Sequence, residues 1–149
     1  MSLMRKLKTY LSLNKQTRSL LLESYYYLGK ARLAKGVPFS KVAPTLGIQM
    51  EETNYEVNEL HRKTLKKVSQ TIHLVSKYTF WESQCLVKAI AAMRMLEKRG
   101  IESTLYLGTA KEESGEMIAH AWLRSGPYYI TGAEGMERFT VVAKFAKKL

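Results

Sequence analysis

The stretch Gln84-Cys85-Leu86-Val87-Lys88-Ala89-Ile90-Ala91-Ala92-Met93-Arg94-Met95-Leu96 decides how this chain is read. From Leu86 to Leu96 only Lys88 and Arg94 are polar, and neither Gly nor Pro interrupts the run. Such a run predicts a helix, and a helix apolar on nearly all sides belongs in the core. Its start carries the chain's single cysteine. Two N-caps are on offer before it. Thr79 with Glu82 makes a capping box, whereas Ser83 would place Cys85 at the second helical position. There the free N–H groups and the positive end of the helix dipole favour a thiolate.

Working outward, Ile118-Ala119-His120-Ala121-Trp122-Leu123 is an apolar run with one histidine, bounded by Glu112-Glu113-Ser114-Gly115 and Ser125-Gly126-Pro127. Turn residues on both sides predict a strand, and apolar residues on both of its faces predict an inner one. A lone Cys at the start of a buried helix and a lone His on an inner strand is a layout for Cys/His nucleophilic catalysis. Each residue alone is more often a plain core group; the pairing is what points to chemistry.

The helix is followed by Gly100 and a change of period. Residues 103–108, 117–124, 127–131 and 139–145 read as a meander of four strands. Before it, 1–13 is basic and amphipathic (Leu3, Leu7, Tyr10, Leu11), fitting a short helix or a loose arm. A membrane-surface role for it is open but rests on few residues. Asn14 caps a helix running to about Lys35 with Gly36 past its end. Pro38 opens a short helical piece ended by Gly47. Residues 50–77 read as a second long helix, with Tyr55, Val57, Leu60, Leu65, Val68, Ile72 and Val75 inward. Helices first and strands after predict an α+β fold, one domain over 1–149, with a basic helical half (1–78) and a half carrying the central helix and sheet (79–149).

Of the 149 residues 46% are apolar, as in an ordinary globular domain. One cysteine excludes an internal disulfide and fits a reducing compartment. Cys and His are too few, at no ligand spacing, for a metal centre, and no cofactor is expected; His61 and His73 read as structural or surface residues. No signal sequence or membrane-length run appears, so a cytoplasmic protein without stable membrane insertion is expected. The formal net charge is +11, of which residues 1–78 carry +9. Solvated lysines account for this as well as an acidic partner does, whether nucleic acid, a peptide or another protein surface. Peptide and protein partners are expected, with no nucleic acid. All thirteen acids are glutamate.

The order Leu20-Leu21-Leu22-Glu23, Pro38-Phe39, Leu46-Gly47, Ser83-Gln84-Cys85-Leu86-Val87-Lys88-Ala89, Gly100-Ile101, His120-Ala121-Trp122-Leu123 and Glu137-Arg138-Phe139-Thr140-Val141-Val142 resembles the stand-alone leader peptidase of lasso-peptide biosynthesis. That family belongs to the transglutaminase-like, papain-type cysteine hydrolases, and the resemblance covers roughly residues 18–145. It implies removal of the leader from a ribosomally made precursor peptide. It also implies a leader-recognition protein that delivers the substrate and an ATP-dependent cyclase acting with it. It makes Cys85 the nucleophile and His120 the base, with the Cys85 N–H as oxyanion donor and Gln84 as a second donor or mere neighbour.

The family orients its histidine with an aspartate about a dozen residues downstream, and this chain has none. Thr131 stands nearest that position, with Glu134 and Glu137 the nearby carboxylates; a hydroxyl or a backbone carbonyl would also fix the tautomer. A Cys/His dyad with an open third member is therefore expected. Two other readings stand beside the peptidase: a transglutaminase-type acyl transferase, and a non-catalytic binding module of the same fold.

Overall fold

A computed structural model describes residues 3–79 and 84–149. The helices are α1 (Leu3–Ser12), α2 (Lys15–Lys35), α3 (Phe39–Val42), α4 (Glu59–Ser76) and α5 (Cys85–Lys98). The strands are β1 (Ile48–Gln49), β2 (Ser103–Lys111), β3 (Met117–Ser125), β4 (Tyr128–Thr131) and β5 (Thr140–Lys147). The fold is α+β.

Local chemistry sets the helix ends. The Asn14 carboxamide oxygen accepts from the Thr17 N–H at 2.7 Å and opens α2; Asn58 accepts from the Leu60 N–H at 3.0 Å and opens α4. At the end of α5 the Ile101 N–H reaches back to the Leu96 carbonyl (2.9 Å) and the Gly100 N–H to Glu97 (3.0 Å). This closure needs a left-handed residue, and Gly100, at φ 71°, supplies it.

The sheet is antiparallel with strand order β1-β5-β2-β3-β4. Only β2, β3 and β4 form the expected meander. β5 returns to pair with the free side of β2, and the two-residue β1 adds to β5. Helices α2, α4 and α5 share one apolar cluster with a single face of this sheet. Leu28, Val68, Ile72, Met93, Leu96, Leu105, Leu123 and Phe145 are all sealed from solvent there. Each such side chain contributes about 1.5–3 kcal/mol relative to exposure. Val87, Ala89, Ile90, Ala91 and Ala92 add to the burial of α5, the central helix.

Three expectations need correction. Residues 50–58 are not helical: α4 begins only at Glu59, and Leu60, read as inward, is 89% exposed. Asn54 accepts from the Glu56 N–H (3.1 Å), a local turn that competes with helix, and the segment crosses the sheet instead. The first 78 residues are therefore not all helical, and they also hold β1. Finally, α5 is capped by Gln84, which makes Cys85 the first helical residue rather than the second. Glu82 and Ser83, named as capping residues, lie outside the described residues.

Candidate active site

Strand β3 lies between β2 and β4, and its residues alternate between the two faces of the sheet. Ala121 and Leu123 turn to the helices. His120, Trp122 and Arg124 share the other face. There Trp122 stacks between Tyr106 (ring centroids 5.6 Å apart, planes 13°) and His120 (5.7 Å, 29°). Phe139 lies on the imidazole at 5.0 Å. Opposite His120 on β2 is Gly108, where a Cβ would come within 2.9 Å of the Trp122 ring and of the Phe139 Cβ. A side chain at 108 would push the indole off the histidine.

Among the described residues the imidazole makes one hydrogen bond, from Nε2 to the Gly132 carbonyl at 2.8 Å. A carbonyl only accepts, so Nε2 carries a proton, and in the neutral ring the lone pair is then on Nδ1. The carbonyl is brought to the ring by a tight approach. Gly132 has φ 71°, and a Cβ there would run into the Ala121 carbonyl and stand 2.8 Å from the Trp122 Cβ. The side chains considered as orienters are elsewhere. Thr131 is buried, and its hydroxyl has no hydrogen-bond partner among the described residues. Glu134 and Glu137 are exposed.

Cys85 is half-buried, free and packed against the apolar cluster at the start of α5. The N–H groups of Cys85, Leu86 and Val87 have no partner within the helix. Gln84 is exposed, and its side chain makes no capping bond. From the turn at Gly100, α5 runs back about 20 Å along the sheet, roughly the distance β2 covers to Gly108. Ala119, on the helical face one pleat before Ala121, is exposed, so the helical layer stops level with His120. Cys85 and His120 thus lie at the same end of the layers, the cysteine on the helical side and the imidazole on the other. Among the described residues no hydrogen bond joins the sulfur to the ring. Nor, among them, do three or more of the His, Cys and Glu side chains converge as a metal set.

Away from this end, the same face holds a buried charge that sequence reasoning missed. Arg124 is sealed from solvent, and its guanidinium donates to the Tyr106 hydroxyl (2.9 Å) and to the carbonyls of Thr53 (2.8 Å), Asn54 (3.0 Å) and Gly126 (2.8 Å). It lies 3.6 Å over the Tyr55 ring. Tyr55 donates to Glu52 (3.0 Å) and lies 3.5 Å from the Tyr106 hydroxyl. That hydroxyl contact, with burial and Glu52 adding, pushes the Tyr55 phenol up to about 12. Lys144, bonded to Glu52 at 3.0 Å, holds the Glu52 carboxyl below its usual range, helped by Tyr55 and the Arg124 charge and opposed by burial. The one sequence signal for this cluster was an arginine inside an otherwise apolar strand.

A buried helix opening on a cysteine, laid on an antiparallel sheet whose inner strand carries a histidine, has the architecture of one large class of proteins. The chain belongs to the transglutaminase-like superfamily, which residues 33–144 match. Over 128 residues it is 27% identical to the microcin J25-processing protein McjB of Escherichia coli, an alignment covering 84% of this chain and 56% of that protein. The chain thus spans little more than half the length of that relative. No solved structure matches it.

Proposed function

We propose that this chain is a cysteine peptidase that removes the leader from a ribosomally made lasso-peptide precursor. Two things support the reading: likeness to a protein that processes microcin J25, and one geometric observation. The Gly132 carbonyl holds the proton of His120 on Nε2 and leaves Nδ1 free to act as a base. Nδ1 takes the Cys85 proton, and the thiolate adds to the scissile carbonyl. The Cys85 N–H steadies the developing oxyanion. Collapse expels the amine of the core peptide, which takes its proton from the imidazolium, and leaves the leader as a thioester on Cys85. Water, deprotonated at Nδ1, then releases the leader carboxylate and restores the thiol. The proposed partners are the precursor peptide, a leader-recognition protein that delivers it, and the ATP-dependent cyclase that receives the core peptide.

The test is to incubate the protein with the precursor encoded beside it, with and without the leader-recognition protein, and weigh the products. Two fragments whose masses sum to precursor plus one water are expected, formed faster with the delivery protein. Cys85→Ala should abolish them while the fold persists, and His120→Ala should be nearly as damaging. Normal turnover in either variant would remove that residue from the mechanism. Incorporation of a labelled amine instead would identify an acyl transferase. A Cys85 that resists alkylation near neutral pH would identify a binding module.

A further inference from the structure

Helix α1 is amphipathic, and the apolar side it presents is uncovered. Projected along the helix axis, Leu3, Met4, Leu7, Tyr10 and Leu11 fill one arc of about 120°, with Lys6 and Lys8 at its two borders. In a globular protein such an arc turns to the core. Here no residue of α1 is buried, and Leu3, Met4, Leu7 and Leu11 are 82%, 70%, 51% and 57% exposed. Toward the body, Leu3, Lys6 and Tyr10 line a 550 Å³ groove with Leu22, Leu74 and Tyr78, so one border of the arc faces that groove. The Lys6 ammonium sits 5.1 Å over the Tyr78 ring. Met4, Leu7 and Leu11 line no part of that groove and look outward, and Leu22, Leu74 and Tyr78 extend the exposed apolar surface beside them. No acidic residue occurs before Glu23, whereas Arg5, Lys6, Lys8, Lys15 and Arg18 fall in that stretch.

We infer that α1 adsorbs this protein onto an anionic lipid bilayer, with Met4, Leu7 and Leu11 at the acyl boundary and Lys6 and Lys8 at the headgroup phosphates. Position decides for a bilayer over a peptide: Met4, Leu7 and Leu11 stand outside the groove that α1 shares with the body, and an exposed helix face outside any groove is buried by a soft plane. Charge decides the lipid: cations on both borders of the apolar arc meet headgroups on both sides. Among the described residues no helix is long and apolar enough to cross a membrane, so this is adsorption at the surface, reversible and sensitive to salt.

The experiment is cosedimentation of the full chain with vesicles of phosphatidylglycerol and phosphatidylethanolamine, against vesicles of phosphatidylcholine alone. Binding to the anionic vesicles, released by salt, is expected. Lys6→Gln and Lys8→Gln should each weaken it roughly fivefold. Leu7→Glu with Leu11→Glu should abolish it while melting temperature and Cys85 alkylation stay unchanged. Absence of pelleting with either vesicle would overturn the proposal, as would equal binding to both, or unchanged binding of the Leu7/Leu11 variant. It would also fall if the protein ignored vesicles but bound an acidic amphipathic peptide through Leu7 and Leu11, since that face would then be a peptide dock.

Discussion

On the helical side of the sheet, Leu105, Leu123 and Phe145 share one apolar cluster with α5. On the other side the alternate residues Tyr106 and Arg124 meet the segment 52–55 through a guanidinium, hydroxyls and carbonyls. The first face is non-directional: any well-packed apolar set of the right volume would bury about as well. The second is directional, because each donor has a specified acceptor and loses free energy if left alone. Stability is concentrated on the first face. Orientation is concentrated on the second, and His120 belongs to the second, sharing the stack of Tyr106 and Trp122.

This division makes opposite substitutions informative. Leu105→Ala removes a fully buried side chain from the helical face and should cost about 2–5 kcal/mol in denaturant unfolding. Specific activity per folded molecule should be unchanged. Should turnover per folded molecule fall as steeply as stability, the two faces are one coupled unit and the contrast is lost.

Gly132→Ala, on the other face, should do the reverse. An alanine there must hold φ near 71° and displace Trp122 or the Ala121 backbone, costing about 1–2 kcal/mol. The larger effect should be on chemistry. The carbonyl that fixes the imidazole moves, and displacement by an ångström is worth up to about a hundredfold in rate. The pH–rate profile should change with it, which a purely structural loss would not cause. An unchanged rate and profile would show that the 2.8 Å bond to His120 does not orient the base.

The elements that could be read from sequence were those with one dominant signal. The run from Leu86 to Leu96 could only be a buried helix, and Gly100 could only end it. Alternation and turn residues gave the strands within a few residues. The segment 50–58 misled because Val57 and Leu60 happen to continue the helical stripe of Leu65, Val68, Ile72 and Val75, while its real task is to cover Arg124. A buried guanidinium cannot be foreseen until the strands are paired. The placements of Cys85 at a helix start and His120 on an inner strand match the structure. A backbone carbonyl was among the orienters the sequence left open, but nothing in it singled out Gly132, because a main-chain carbonyl leaves no mark in composition. Its trace is the glycine itself, twelve residues after the histidine.

The smallest expected effect tests the same point from the side of Thr131 and Glu134. The Thr131 hydroxyl is buried, with no hydrogen-bond partner among the described residues, so it carries a desolvation penalty with no bond to offset it. Thr131→Val keeps the volume and β-branching and removes that group. It should leave turnover unaltered and raise stability by up to about 1 kcal/mol. Glu134→Gln, at an exposed position, should alter neither. Both follow from a backbone orienter, because a carbonyl at 132 is indifferent to the hydroxyl at 131. A tenfold loss of turnover in Thr131→Val with stability intact would mean that the hydroxyl swings to the imidazole when substrate binds. The same loss in Glu134→Gln would mean that a carboxylate folds back to stabilise the imidazolium. Either result would take the orienting role from Gly132 and carry the directional face of the sheet one residue further toward solvent.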